Sequence, residues 1–147
     1  RKAALELGIS QISGASSTSV GGYVTPEKPE ENTAQFDRSD TRTLDEVLNW
    51  LLELGYIPSF CTACYREGRT GDRFMPLAKS GAIQNCCQPN ALMTLKEYLI
   101  DYAAPETKKN GEKVINEELK NIPNDNVRRI CTENLKAIEQ GQRDFRF

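Results

Sequence analysis

The residues best suited to chemistry in this sequence are its cysteines: Cys61, Cys64, Cys86, Cys87 and Cys131. Cys61 and Cys64 frame a Cys-Thr-Ala-Cys turn, and Cys87 follows after residues 65–86. A CxxC turn brings two sulfurs within reach of one metal or one cluster edge, and a third cysteine from a distant loop closes such a site. Thiolate donors select zinc, copper(I) or iron–sulfur clusters. Histidine is absent, which removes the commonest zinc ligand and the commonest general base. Cys86 and Cys87 are adjacent, and neighbouring side chains tend to diverge, so both seldom ligate one metal; if only one of them does, the site has three protein thiolates. Three thiolates fall one short of a structural zinc site. A 4Fe-4S cluster tolerates three and leaves one iron open to an outside ligand.

The loop after the pair, Tyr65 to Arg73, reads YREGRTGDR and carries Arg66, Arg69 and Arg73. A cluster on three thiolates is net negative, so arginines and backbone N–H groups beside it would stabilise it and tune its potential. Gly68 and Gly71 would let the backbone come close. Asp72 is placed to cap the next helix and turn its positive end toward the site. The plainer reading of the same loop is a solvated turn. Cys131 shares a helix face with Val127 and Leu135 and reads as core. Gly21-Gly22-Tyr23 is a turn and not a phosphate loop, since no Gly-Lys-Ser/Thr follows.

Several elements must position these residues. Residues 1–7 read as the last turns of a helix closed by Gly8. Ile9–Ser13 alternates apolar and polar residues as a short strand does, and Ser13 to Tyr23 is rich in glycine and serine. Residues 24–42, with Pro26 and Pro29, read as a linker. Thr43 opens an amphipathic helix with Leu44, Val47, Leu48, Leu51 and Leu52 on one face and Gly55 at its end. Asp72 to Lys79 suggests a short helix that is kinked or starts late because of Pro76 and closes at Gly81. Pro89 at a first turn begins a helix reaching Tyr102, with Leu92, Leu95, Leu99 and Tyr102 inward. Helical patterns cover Glu106–Ile122, with Gly111 as a weak point, and Asp125–Glu139, with Val127, Ile130, Leu135 and Ile138 inward. From residue 43 onward the chain reads as all-α.

The 147 residues are enough for one ordinary domain with its own core. A hydrophobic fraction of 38%, a charged fraction of 27% and a net charge of -2 suit a globular protein with mixed surface charge. That composition speaks against a nucleic-acid surface or a basic membrane patch. No apolar run approaches the roughly 18–20 residues of a membrane span, and no signal peptide is visible. An odd cysteine count at uneven spacing is a poor disulfide framework and points to a reducing cytoplasm. The start at Arg1 reads as a piece cut from something longer.

Three stretches carry a family resemblance: CTACYREGRTGDRFMPLAKSG from Cys61, CQPNALMTLKEYL from Cys87, and GQRDFRF at residues 141–147. They resemble the C-terminal portion of the HydG family, the radical-SAM tyrosine lyases of FeFe-hydrogenase maturation. The resemblance implies a mainly α fold: a helical auxiliary-cluster domain at 43–147, joined by a 24–42 linker to a helix-strand-loop remnant of a (β/α)8 barrel at 1–23. It assigns the auxiliary 4Fe-4S cluster to Cys61, Cys64 and Cys87, leaving Cys86 out, with Arg66 and Arg69 beside the cluster. It implies an additional iron with a cysteine ligand at that cluster, where CO and cyanide from tyrosine are assembled into an Fe(CO)(CN)-cysteine unit. S-adenosylmethionine and a second 4Fe-4S cluster would belong to a barrel that these residues do not contain, since no CxxxCxxC motif occurs. The implied partners are that barrel, a hydrogenase-maturation scaffold and free cysteine, with no nucleic acid and no membrane, in the cytoplasm of an anaerobic bacterium. No catalytic residue is assigned, and these residues alone are expected not to cleave tyrosine. Competing readings are a structural zinc module, with a fourth ligand from Cys86, Asp72 or water, and a metal-free helical scaffold with buried cysteines.

Overall fold

A computed structural model describes residues 2–16 and 40–147. The chain divides into two compact units, Arg1–Val47 and Leu48–Phe147. In the first, α1 covers Lys2–Glu6, and Gly8 closes it at φ 93 with its N–H on the Leu5 carbonyl at 2.9 Å. The strand expected at Ile9–Ser13 is not formed. A strand draws its stability from a hydrogen-bonded neighbour, and none pairs with it among the described residues. Most of the glycine- and serine-rich loop, and the linker up to residue 39, lie outside the described residues.

Helix α2 covers Leu44–Glu53. Its start is a reciprocal capping box: the Thr43 N–H donates to Glu46 Oε2 at 2.7 Å, and the Glu46 N–H donates to Thr43 Oγ1 at 3.3 Å. Val47, Leu48, Leu51 and Leu52 are buried as the periodicity demands, whereas Leu44 in the first turn is 41% exposed. Gly55, at φ 80, ends the helix as expected.

The second unit is built around α5, Cys87–Asp101. Pro89 lies in its first turn, as expected. It sits third in the helix, within the turn whose N–H groups have no intrahelical acceptor, so its missing donor costs nothing there. That start places Cys87 at the first helical position. Helices α6, Pro105–Glu118, and α7, Asp125–Glu139, both pack on α5. As a result α5 is buried on more than one stripe: Leu92, Met93, Leu95 and Leu99 are at most 1% exposed, and Asn90 and Lys96 are buried too. Tyr102 was expected inward but is 77% exposed. The helix ends at Asp101, and Tyr102 leaves helical geometry at φ −135, so the inward periodicity no longer applies to it.

Helix α7 has the bounds read from its pattern. Asn124 caps it, its side chain accepting from Asn126 N at 3.0 Å and Val127 N at 3.1 Å. Cys131 is fully buried core, as expected. Gly111 is not a weak point in α6. It lies buried in the helix, and a Cβ there would meet Leu99 Cδ1 at 2.4 Å and Cδ2 at 2.6 Å. The glycine is what lets α6 approach α5 so closely.

The segment between α2 and α5 is made of short turns. Helix α3 covers Ala63–Arg66, a 3-10 turn follows at Gly71–Arg73, α4 covers Met75–Lys79, and a second 3-10 turn covers Ala82–Asn85. Pro76 delays α4 as expected, and Gly81 at φ 75 closes it. Asp72 does not cap it. The residue before α4 is Phe74, with no side-chain cap, and Asp72 is spent inside the preceding 3-10 turn.

Candidate metal centre

Cys61 lies just before α3 and Cys64 is its second residue. Both, like Cys86 and Cys87, are half-buried free thiols. The Cys61 sulfur accepts the Ala63 N–H at 3.4 Å, the kind of backbone contact that stabilises a thiolate. The turn is closed behind Cys64, whose carbonyl accepts the Arg69 N–H at 2.8 Å. Gly68, at φ 64, makes that reversal possible.

Cys87 opens α5, where the helix N-terminus favours negative charge. As a free thiol it is nonetheless pushed up to about 12, first by burial, then by Cys86, and further by Cys64 and Cys61. Those last two causes place the CxxC turn and Cys87 in one electrostatic neighbourhood, although residues 65–86 separate them in the chain. The Cys86 sulfur is 3.7 Å from the Ile83 carbonyl and 4.0 Å from that of Ala82, both of which can accept its S–H hydrogen bond. It also lies 4.0 Å from the Cys87 sulfur, so the two neighbouring side chains do not diverge as expected. Among the described residues, no three Cys, Asp or Glu side chains converge as ligands of a single ion.

The two arginines read as cofactor neighbours have protein partners. Arg66 forms a two-pronged ion pair with Asp144, which holds the Asp144 carboxyl below its usual range. Arg69 Nη2 donates to the main-chain oxygen of Phe147 at 2.5 Å, while its buried Nε has no partner. Glu67 between them accepts from Arg146 at 2.7 Å, and that contact lowers its pKa. Residues 143–147 therefore lie over the cysteine loop, a contact that the sequence reading missed. The available signal was the alternation Asp-Phe-Arg-Phe at 144–147: Phe145 and Phe147 pack against the core, and Asp144 and Arg146 point out to the loop.

What the fold defines is a small, mainly helical domain with a CxxC turn beside α3 and a further cysteine at the start of α5. No protein-family model matches the chain, and no curated protein does. Among solved structures, the chain is similar to the crystal structure of HydG, a maturase of the FeFe-hydrogenase, with 51% identity and a TM-score of 0.89. The similarity covers 99% of this chain and 31% of the HydG chain. The family resemblance read from the sequence is thus borne out: the chain matches a piece of HydG. No helix among the described residues is long and apolar enough to cross a membrane.

Proposed function

We propose that the chain is the auxiliary-cluster portion, C-terminal in its parent, of a radical-SAM tyrosine lyase that matures FeFe hydrogenase, and that Cys61, Cys64 and Cys87 hold a 4Fe-4S cluster. The observation that carries this is the 51% identity over 99% of the chain to the HydG structure, together with the CxxC turn and Cys87 in the sequence. The donor chemistry fits the group. Cys61, Cys64 and Cys87 would supply three thiolates, one short of the four ligands of a structural zinc site and enough for a 4Fe-4S cluster with one iron left open. The Ala63 N–H on the Cys61 sulfur supports an anionic ligand, and the unpartnered Arg69 Nε is a spare cationic donor next to the loop. When bound on Cys61, Cys64 and Cys87, the cluster would supply an iron without a protein ligand, the place for an additional iron with its cysteine ligand and for building an Fe(CO)(CN)-cysteine cargo.

The chain's own residues do the holding. Cys61, Cys64 and Cys87 give up three protons on binding, so assembly favours higher pH. Cys86 lies within hydrogen-bond reach of the Ala82 and Ile83 carbonyls and stays outside the ligand set. Arg66 and Arg69 offset the negative charge while also fastening residues 144–147. S-adenosylmethionine, a second 4Fe-4S cluster and tyrosine cleavage belong to a barrel partner in the longer protein, and the product passes to a maturation scaffold in the cytoplasm.

The test is anaerobic reconstitution with iron and sulfide, followed by metal analysis and low-temperature EPR of the reduced protein. Wild type and Cys86→Ser should each hold about four irons and give a reduced-cluster signal, while Cys87→Ser should lose most of both. One tightly held zinc per chain, or an unchanged signal in Cys87→Ser, would overturn the assignment.

A further inference from the structure

Helix α3 is a single turn that buries only Ala63. So short a helix has little hold of its own on the helical core, yet it must present Cys61 and Cys64 beside Cys87. Residues 143–147 supply the missing link. They run back along α5, anchored at its end by Arg143 on Asp101, at 3.1 and 2.6 Å. From there two connections reach across. At Asp144 the main-chain N–H donates to Glu97 on α5 at 2.9 Å, while the carboxylate pairs with Arg66 of α3. At Phe147 the main-chain N–H donates to Asn90 Oδ1 at 2.9 Å. The Phe147 main-chain oxygen accepts from both Asn90 Nδ2, at 3.4 Å, and Arg69 Nη2. Asn90 is buried and stands one turn beyond Cys87 on the same helix. Asp144 holds a left-handed φ of 69, a conformation that aspartate tolerates better than most residues. In that conformation its N–H serves one segment and its carboxylate the other.

We infer that residues 143–147 form a strap that holds the CxxC turn in register with the helix bearing Cys87, with Asp144 and Asn90 as the positioning residues. The strap touches no reacting atom. It acts by tying the two ligand-bearing segments together through one extended stretch, while Phe145 and Phe147 seat that stretch on the core.

The experiment is amide hydrogen exchange on the metal-free chain, for wild type, Arg146→Ala, Asp144→Ala/Arg146→Ala and the conservative Asp144→Glu, with thermal melting of the same samples. In the double variant, exchange at Arg66, Glu67 and Arg69, whose amides close the α3 turn, should rise about tenfold. The amides of α5 and α7 and the melting temperature should change little. Arg146→Ala, which breaks only solvent-exposed pairs and leaves the fold intact, should give a smaller rise at the same amides, and Asp144→Glu should retain most of the protection. Unchanged exchange at α3 would overturn the strap. So would a rise spread evenly over α5 and α7 with a lower melting temperature, because residues 143–147 would then be ordinary core. The inference uses the cluster reading only for its consequence: reconstituted double variant should lose iron to a chelator several-fold faster than wild type. Should wild type take up no iron, the cluster reading fails by itself, and the exchange result still decides the strap.

Discussion

Replacing Gly111 by alanine tests how the helix that carries Cys87 is held. Two effects oppose each other. In a helix interior alanine is favoured over glycine by about 1 kcal/mol. Against this, the new methyl would sit 2.4 Å from Leu99 Cδ1, 2.6 Å from Cδ2 and 3.0 Å from Cγ. Both branches of Leu99 are struck at once, so rotating that side chain exchanges one clash for the other. Leu99 is also 1% exposed and has no free volume to retreat into. Overpacking of this kind costs about 1–3 kcal/mol and more where the backbones must part. The clash wins, and Gly111→Ala should destabilise the chain by about 1–2 kcal/mol, which lowers the melting temperature by roughly 4–8 °C per kcal/mol in a unit of about a hundred residues. Urea or thermal unfolding followed by helical circular dichroism reads this directly. Leu99→Ala in the same chain should turn the alanine at 111 from harmful to neutral or better, a coupling visible in the double-mutant cycle. If Gly111→Ala were as stable as wild type or more so, the close approach of α5 and α6 would not be what requires a glycine here.

Two further predictions concern buried ionisable groups. Burial pushes the Cys131 thiol up from 9.0 to about 12, so the folded chain holds its proton more tightly than the unfolded chain does. The stability this confers is fully present below about pH 9 and is lost as pH rises toward 12. At about 1.4 kcal/mol per pKa unit, complete loss would be at most about 4 kcal/mol. Cys131→Ala should therefore cost about 1 kcal/mol at neutral pH through its small cavity, yet make the alkaline decline in urea-unfolding free energy shallower, the Cys87 thiol, likewise raised to about 12, supplying part of what remains; an equally steep decline would count against the Cys131 thiol as a source. Lys96 is 4% exposed, and its ammonium lies 2.6 Å from both Glu112 and Glu139. Lys96→Met should be tolerated within about 1 kcal/mol, whereas Glu112→Gln with Glu139→Gln should cost about 3 kcal/mol by leaving a buried cation unpaired. Equal costs for the two variants, measured by chemical denaturation, would refute that reasoning.

Much of the secondary structure could be read directly from the chain because its causes are local. The Thr43 and Asn124 caps, the glycines that close turns and the apolar spacing of α2, α5 and α7 all act within about one helical turn. The errors share a cause. Ile9–Ser13 has the alternation of a strand but no partner to pair with. Tyr102 continued a periodicity beyond the point where the helix stops. Asp72 has the chemistry of a cap but stands two residues before the Phe74 position that α4 required.

The sequence alone determined the donor chemistry that the proposed site would use: a CxxC pair, a third cysteine from another segment, no histidine, and a cationic glycine-rich loop. Residue type and short spacing suffice for that, since ligand chemistry belongs to the side chain itself. Tertiary structure decided which groups the site leans on. Arg66 and Asp144 stand 78 positions apart in the chain, and no local pattern encodes such a pair. The crowding of Leu99 against Gly111 and the double salt bridge of Lys96 likewise exist only once three helices pack together. The electrostatic neighbourhood shared by Cys61, Cys64 and Cys87 arises in the same way. Long-range contacts form where the burial of many side chains drives separate helices together, and that sum over the whole core cannot be read from any one stretch of sequence.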